Sequence, residues 1–281
     1  MIEGNLKELA EVLSGSEITN LSDSVSFSGL SIDTRTIKED NLFIAIIGEN
    51  TDGHKYLEDA EQAGASGYVI EKSCQENVSE DVKKKSLIVE DTKKALRDIS
   101  LWWKAKFNPE FVAITGTNGK TTTKEMTADV LSKKYKVLRS PGNYNNLYGI
   151  PLSLCLLDDT HEICVFELGM SFPGEIKALT GMINPNFVLI TNIGPAHLET
   201  MGSIENIARA KFELLENCPK QATRILNIDD PILAKRFESE PSPKISYAVN
   251  AKADIMPSGF SSNSYGRIIS VSYTHLTLPT N

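Results

Sequence analysis

Features that mark secreted and membrane-spanning proteins are scarce in this chain of 281 residues. Its four cysteines include no C-x-x-C pair, and two of them, Cys155 and Cys164, lie in apolar runs, where a free cysteine is usually buried. The first residues lack the basic start and apolar run of a signal peptide, and no apolar segment is long enough to span a membrane. We therefore expect a cytoplasmic protein without membrane insertion.

Positive charge is also in short supply. The chain has 29 lysines and arginines against 37 aspartates and glutamates, so its net charge is −8. Non-specific binding to nucleic acid or to an anionic membrane requires a basic surface, and we expect neither partner. An anionic ligand must therefore be held by local groups.

The length suffices for two domains, and 41% hydrophobic residues can fill two cores. Alternating apolar and helical segments predict an α/β fold, with a small domain over residues 1–107 and a second over 108–270, whose mainly parallel sheet is flanked by helices. In the first domain we predict strands at 42–47, 68–70 and 87–89 and helices at 56–63 and 92–106, the last with a buried stripe of Leu96, Ile99 and Trp103. The charged, unpatterned segment 75–85 is expected to be a solvated loop.

The most informative stretch joins an apolar strand at 111–114 to T-G-T-N-G-K-T-T-T at 115–123. Its glycines, Gly116 and Gly119, allow backbone N–H groups to converge on anionic oxygens, and the following helix adds the partial positive charge of its N-terminus. Lys120 can reach terminal phosphates, and Thr121 offers a Mg²⁺ ligand. The pattern predicts a nucleoside triphosphate site. Ile114 stands where the generic motif has its first glycine, so an ordinary strand-to-helix turn is the alternative.

Polar side chains follow the other predicted strands of the second domain. Glu167 follows the strand at 163–166, Thr191, Asn192 and His197 follow 187–190, and Asn227 to Asp230 follow 225–226. The carboxyl ends of parallel strands share one edge, where ligands bind, so these groups are expected to converge on one nucleotide. Glu167 is a candidate Mg²⁺ ligand. Taken singly, Glu167 could instead be a capping or solvated carboxylate, and His197 a structural histidine.

Several segments together resemble the Mur ligases of peptidoglycan synthesis. The motifs are G-T-N-G-K-T-T at 116–122, G-N-Y-N-N at 142–146, E-L-G-M at 167–170, N-I-G-P-A-H-L-E at 192–199 and A-R-A-K at 208–211. In the first domain, S-I-D-T-R at 31–35, G-E at 48–49 and D-G-H at 52–54 are similar to segments that hold the UDP-sugar substrate in that family. The resemblance runs from about residue 31 to about residue 269 and implies that residues 1–107 bind the UDP-sugar and 108–270 bind ATP.

The resemblance implies an ATP-dependent amide ligase that works through an acyl phosphate, with ATP and Mg²⁺ as cofactors. The E-L-G-M and N-I-G-P-A-H-L-E variants are most similar to the branch that joins D-alanyl-D-alanine to UDP-N-acetylmuramoyl-tripeptide. The branch that adds a single amino acid is the alternative within the family. A nucleotide-dependent switch or simple ATPase, and a non-catalytic fragment that only binds nucleotide or UDP-sugar, are alternatives outside it. We expect a monomer.

The resemblance also implies roles for individual residues. Thr121 and Glu167 would hold a first Mg²⁺ and His197 a second, which a carbamylated Lys211 would support; Lys120, His197 and Lys211 are the candidate catalytic residues. From the residues alone, Lys211 is a charged residue on a solvated helix face. The candidate ATP-binding residues are Gly116, Thr117, Asn118, Gly119, Lys120, Thr121, Thr122 and Asn227. The candidate substrate-binding residues are Ser31, Asp33, Thr34, Arg35, Asp52, Gly53, His54, Asn143, Asn146 and Arg209, whereas Asn145 is compatible with simple turn chemistry.

The last residues do not fit this picture. Residues 271–280 resemble one translated frame of a transposase-type sequencing adapter, so we expect residues 271–281 to be an artefactual tail. The family has a third, C-terminal domain that helps to bind ATP and carries much of the amino-acid or dipeptide site, and we expect the natural chain to continue into it. A genuine divergent tail is the alternative, because termini vary freely.

Overall fold

The computed structural model describes residues 1–13, 15, 17–18, 25–196, 198–241, 243–257, 259–262 and 268–271. Contacts divide the chain into two compact units, one formed by Met1–Pro109 with Lys134–Ile163 and the other by Glu110–Lys133 with Cys164–Asn281. Both contain helices and mainly parallel strands, which confirms the predicted α/β class. The predicted domain spans, 1–107 and 108–270, stay a prediction.

The first 109 residues contain a five-stranded sheet in the order β2-β7-β6-β5-β4, in which β2 is antiparallel to β7 and the other neighbours are parallel. The strands are β1 (Glu3–Asn5), β2 (Glu17–Ile18), β3 (Ser26–Ser28), β4 (Leu30–Ser31), β5 (Leu42–Ile44), β6 (Gly67–Glu71) and β7 (Ser86–Val89). The helices are α1 (Leu6–Val12), α2 (Leu57–Gln62), α3 (Glu80–Lys83) and α4 (Thr92–Lys104), with 3₁₀ turns at Thr34–Thr36, Gly53–Tyr56 and Lys72–Asn77.

Helix α4 shows why these residues form these elements. Asp91 caps its N-terminus through Oδ1, which accepts hydrogen bonds from the N–H groups of Lys93 and Lys94 at 2.8 and 3.0 Å. The predicted stripe of Leu96, Ile99 and Trp103 is buried, at 0, 0 and 6% exposure. Burial of these large apolar side chains fixes which face of the helix packs inward.

The prediction of a solvated loop at 75–85 is wrong. A 3₁₀ turn, Lys72–Asn77, and the short helix α3 occupy most of it, and the Ser79 hydroxyl accepts a hydrogen bond from the Val82 N–H at the helix start. Val78 and Val82 are buried in the core of the first unit. The many charges of this segment lie on its outer face and hide the two buried valines, four residues apart, that mark its inner face.

From residue 110 onward the chain builds a six-stranded sheet in the order β13-β12-β11-β8-β10-β9. The strands are β8 (Glu110–Thr115), β9 (Val137–Arg139), β10 (Ile163–Glu167), β11 (Phe187–Ile190), β12 (Thr223–Asn227) and β13 (Lys244–Tyr247), followed by the antiparallel pair β14 (Gly259–Ser262) and β15 (Ile268–Val271). The helices are α5 (Lys120–Leu131), α6 (Gly149–Leu154), α7 (Glu175–Ile183), α8 (Leu198–Met201), α9 (Ile204–Asn217) and α10 (Pro231–Ser239).

The core of this sheet confirms the strands expected after residue 110. β11 is parallel to β8 on one side and to β12 on the other, and β12 is parallel to β13. Helices α5, α9 and α10 pack against β8, β11 and β12 respectively. Within the part of the chain that the structure describes, no helix is long and apolar enough to cross a bilayer.

Candidate nucleotide-binding site

Strand register brings the candidate site together. Ile190 at the end of β11 is paired with Thr115 of β8 and with Leu226 of β12. The residues that follow these three strands therefore emerge side by side at one edge of the sheet, as parallel pairing requires. This edge carries the segment that we call the phosphate loop, residues 115–120.

Two glycines give the phosphate loop its shape. Gly116 has a φ of +148°, and a Cβ placed there would collide with the Thr191 hydroxyl, so no larger residue fits. Gly119, at a φ of +77°, is the N-cap of α5. The first bond within that helix runs from the Thr123 N–H to the Gly119 carbonyl at 2.9 Å. The N–H groups of residues 119–122 thus lie ahead of the helical ladder, where an anion can accept from them.

A second segment, residues 191–194, is hydrogen-bonded to the phosphate loop, and we call it the brace segment. Asn192 accepts from the Thr117 N–H through its carbonyl oxygen and from the Asn118 N–H through Oδ1, both at 3.0 Å. The Gly194 N–H donates to the Thr117 hydroxyl at 2.9 Å, and the Thr191 hydroxyl donates to the Asn118 carbonyl at 2.7 Å. The N–H groups of Thr117 and Asn118 are therefore used inside the protein, a detail that sequence reasoning missed.

Thr121 and Glu167, the predicted ligands of a first Mg²⁺, are in hydrogen-bond contact. The Thr121 hydroxyl, on the first turn of α5, donates to Glu167 Oε2 at 2.7 Å, and Glu167 is 3% exposed at the end of β10. Two hard oxygen donors at this separation fit adjacent positions around Mg²⁺, whose ligands at about 2.1 Å lie about 3 Å apart. The donor set therefore suits a magnesium ion between α5 and β10.

Lys211 is buried rather than solvated, so the solvated-face interpretation is wrong. Its side chain projects from α9, is 4% exposed and donates from Nζ to the Gly116 carbonyl at 2.9 Å. Burial, and then the positive charge of Lys120, lower the pKa of Lys211 to about 8. Lys120 itself donates from Nζ to the Thr117 carbonyl at 3.0 Å. Two lysines thus converge on the phosphate loop.

The other predicted members of this site have different surroundings. Arg209 lies on α9 but is exposed, whereas Lys211 is buried. The Asn227 side chain donates to the Thr191 carbonyl at 3.0 Å and accepts from the Asp229 N–H at 3.1 Å, so its amide supports the brace segment. His197 lies outside the described residues.

In the first unit, the predicted substrate residues 31–35 form a compact turn. The Ser31 hydroxyl accepts from the Asp33 N–H at 3.1 Å and donates to the Asp33 carbonyl at 2.9 Å. Arg35 is exposed and pairs with Asp33 at 2.6 Å, and this hydrogen bond lowers the pKa of Asp33. Thr34 begins the 3₁₀ turn that Asp33 caps. The pairing uses Nε and Nη2 of an exposed guanidinium, so an anionic ligand can approach Arg35 from solvent.

The D-G-H segment at 52–54 is built into the first unit. A Cβ on Gly53 would lie 2.7 Å from the Ile46 nitrogen, so the backbones touch there. His54 Nε2 accepts from the Glu71 N–H at 2.9 Å, which assigns the proton to Nδ1, 2.7 Å from Asp52 Oδ1.

Asp52, His54 and Cys74 place their ligand atoms within 4.8 Å of one another, beside a cavity of about 410 Å³. A metal at His54 Nδ1 would move the ring proton to Nε2, where it would face the Glu71 N–H. The hydrogen bonds of His54 therefore disfavour a metal at this cluster.

Asn146 also has a local structural partner. Its Oδ1 accepts from the N–H groups of Tyr148 and Gly149 at 3.1 and 2.8 Å, at the start of α6. Asn143 is exposed, and its carbonyl accepts from the Asn145 N–H at 2.7 Å, which supports the turn interpretation of Asn145. The substrate roles of Asn143 and Asn146 stay predictions.

Comparisons with known proteins agree with the geometry of the sheet edge. Residues 114–280 match the Mur ligase middle domain, and residues 26–102 match the Mur ligase family, catalytic domain. The UDP-N-acetylmuramoyl-tripeptide--D-alanyl-D-alanine ligase of Bacillus subtilis is 33% identical over 240 residues, which cover 85% of this chain and 52% of that protein. The chain spans about half the length of the curated relatives it matches.

Solved structures show the same fold. MurF from Acinetobacter baumannii superimposes with a TM-score of 0.81 at 24% identity, covering 98% of this chain and 62% of that one. MurF ligase from Thermotoga maritima, in complex with ADP, gives a TM-score of 0.72 at 26% identity and covers 88% of this chain and 58% of that one. Because the middle-domain match alone spans more than half of the sequence, the chain belongs to the Mur ligase family.

Proposed function

We propose that this chain carries the nucleotide-binding and UDP-substrate-binding parts of an ATP-dependent ligase that joins D-alanyl-D-alanine to UDP-N-acetylmuramoyl-tripeptide. The observation that carries the proposal is the convergence of Lys120, the Thr121–Glu167 pair and buried Lys211 at one sheet edge. The name of the Bacillus subtilis relative and the ADP in the Thermotoga maritima structure support it. We also propose a monomer in the cytoplasm.

The proposed reaction has two steps. The terminal carboxylate of the tripeptide attacks the γ-phosphate, which gives an acyl phosphate and ADP. The amine of D-alanyl-D-alanine then attacks the acyl carbon and expels phosphate, and the amine loses its proton. Such chemistry asks the protein mainly to align the reactants and to neutralise charge on the phosphoryl oxygens.

Each described group has a place in that scheme. The N–H groups at the start of α5 and the Lys120 ammonium would face the transferred phosphate. Thr121 and Glu167 would hold Mg²⁺, which neutralises negative charge on the phosphate oxygens when bound. The predicted role of His197 at a second Mg²⁺ lies outside the described residues.

Lys211 is proposed to act as a carbamate. A neutral lysine amine adds to CO₂ and releases one proton, which turns a cation into a carboxylate-like ligand for the second Mg²⁺. At a pKa of about 8, about one tenth of Lys211 is neutral at pH 7. An ordinary lysine is neutral only about once in several thousand. The buried position therefore favours the modification.

The experiment measures phosphate release by the protein that the complete gene encodes, with ATP, UDP-N-acetylmuramoyl-tripeptide and D-alanyl-D-alanine. We expect release only when all three are present. Release with ATP alone would indicate a simple ATPase or switch, and binding without any release would indicate a non-catalytic protein. Release with a free amino acid and the UDP-N-acetylmuramoyl-dipeptide, in place of D-alanyl-D-alanine and the tripeptide, would indicate the single-amino-acid branch, which the name of the Bacillus subtilis relative disfavours.

A further inference from the structure

Asp230 connects the start of α10 to the brace segment. It lies three residues after the end of β12 and is the N-cap of α10, where Oδ1 accepts from the N–H groups of Ile232 and Leu233 at 2.9 and 3.1 Å. Its other oxygen, Oδ2, accepts from the Ile193 N–H at 2.7 Å. One carboxylate thus performs two separable tasks, a helix cap and a tie to residues 191–194.

The tie to Ile193 reaches the phosphate loop in one further step. Asn192 and Gly194, which flank Ile193 in the brace segment, hold the N–H and hydroxyl groups of Thr117 and the N–H group of Asn118. These bonds join residues more than 70 positions apart in the chain. A shift of the brace segment would therefore move the loop whose next N–H groups face the nucleotide.

An N-cap alone does not require the second oxygen. Asp91 caps α4 with the same geometry, through Oδ1 to the N–H groups of Lys93 and Lys94. Serine and asparagine cap helices about as well as aspartate, with one oxygen. The bond from Ile193 is charge-assisted, and such bonds are stronger than neutral ones.

We propose that Asp230 is a positioning residue for the phosphate loop, which it holds through Ile193 and the brace segment in the geometry that receives a nucleotide. The nucleotide part of this proposal rests on the proposed function. The positioning part does not, because it concerns the loop without ligand.

The variant Asp230→Asn separates the two tasks. Its amide oxygen can keep the helix cap, but its NH₂ group then faces the Ile193 N–H, two donors against each other. The reverse orientation would turn the NH₂ group toward two helix N–H groups instead. Asp230→Ser keeps a cap and lacks the second oxygen. The matched controls are Asp91→Asn and Asp91→Ser in the cap of α4.

Two measurements on the 281-residue chain decide the proposal. Site-resolved amide hydrogen exchange without nucleotide should be about tenfold faster at residues 117, 118 and 193 in both Asp230 variants, because the lost bond involves a charge. The amides of Ile232 and Leu233 should stay protected. The dissociation constant for Mg–ATP should rise about tenfold for the same reason. The Asp91 variants should change neither.

Unchanged exchange at residues 117, 118 and 193 would overturn the proposal. So would faster exchange with an unchanged Mg–ATP dissociation constant, or equal effects in the Asp230 and Asp91 variants. If the unaltered 281-residue chain fails to bind Mg–ATP, the same comparison is made on the complete gene product, where failure to bind would contradict the proposed function, and the exchange rates still decide whether Asp230 holds the loop.

Discussion

Lys120 lies at the first position of α5, and we propose that its ammonium faces the transferred phosphate. Lys120→Ala should lower ligation by about a hundredfold to a thousandfold or more, as removal of one preorganised group from such a site does. Thr121→Ala should weaken Mg²⁺–nucleotide binding with a smaller loss of rate. Phosphate release and calorimetric nucleotide binding measure the two effects. Near-normal turnover of Lys120→Ala would show that the phosphate loop takes no part in phosphoryl transfer.

Lys211 gives a prediction about CO₂. Because its pKa is lowered to about 8, the neutral fraction rises from about one tenth at pH 7 to about one half at pH 8. Carbamate formation should increase over this range. Lys211→Ala should lose activity, and a small added carboxylate should partly restore it.

The adduct itself can be measured. Native mass spectrometry under bicarbonate should show one CO₂ on the unaltered protein and on Lys93→Ala, which removes an exposed lysine of α4, and none on Lys211→Ala. Absence of both the adduct and the carboxylate rescue would contradict carbamylation. Full activity of Lys211→Ala would remove the residue from the mechanism.

The same pKa makes a prediction about stability. The pKa of Lys211 lies near 8 in the folded chain and near its ordinary 10.5 when exposed, so the unfolded chain binds more protons between these values. Burial of the protonated Lys211 therefore lowers the free energy of unfolding by its full amount below pH 8, and this loss disappears as the pH approaches 10.5. Lys211→Met should therefore raise the free energy of unfolding most below pH 8, by at most about 3 kcal/mol. A pH-independent difference between the two proteins would contradict the lowered pKa.

At the scale of elements, the turn from β8 to α5 includes one glycine, Gly116, at which no side chain fits. Gly116→Ala should push Thr191 away and disturb both the phosphate loop and the brace segment, with a loss of about 2 kcal/mol or more in unfolding free energy. Gly181→Ala is the matched control, because Gly181 lies within α7 and a Cβ added there would meet no atom within 4 Å. It should stabilise by up to about 1 kcal/mol. Chemical denaturation measures both, and equal effects would contradict the steric argument.

The same elements show what a sequence predicts and what it does not. β8, β10, β11 and β12 are apolar runs that end in or lead to polar residues, and local patterning was enough to find them, whereas the pairing of Glu167 with Thr121 was implied by the family resemblance. The bonds of Asn192 and Asp230 were not predictable, because they depend on a strand register that joins distant segments. The exposed charges of residues 75–85 obscured the pattern of the two buried valines, Val78 and Val82.

At the scale of the whole molecule, the candidate residues of the phosphate edge and those of the predicted UDP-sugar site lie in different units. The phosphate loop, Glu167 and Lys211 belong to the second unit, whereas residues 31–35 and 52–54 belong to the first. We expect the two sets to bind different ligands. Substitution of Arg35 by alanine should therefore weaken the affinity for the UDP-substrate and leave the Mg–ATP dissociation constant unchanged. A weaker affinity for Mg–ATP alone would contradict that assignment.

We propose above all that the family fold and this phosphate loop serve an ATP-dependent D-alanyl-D-alanine ligase. The most direct measurement is the mass of the product formed by the complete gene product from UDP-N-acetylmuramoyl-tripeptide, ATP and D-alanyl-D-alanine, with phosphate followed in parallel. We expect a product that is heavier than UDP-N-acetylmuramoyl-tripeptide by one dipeptide less one water, with one phosphate released for each product molecule. Phosphate release without that product, or no release when all three reactants are present, would contradict this function.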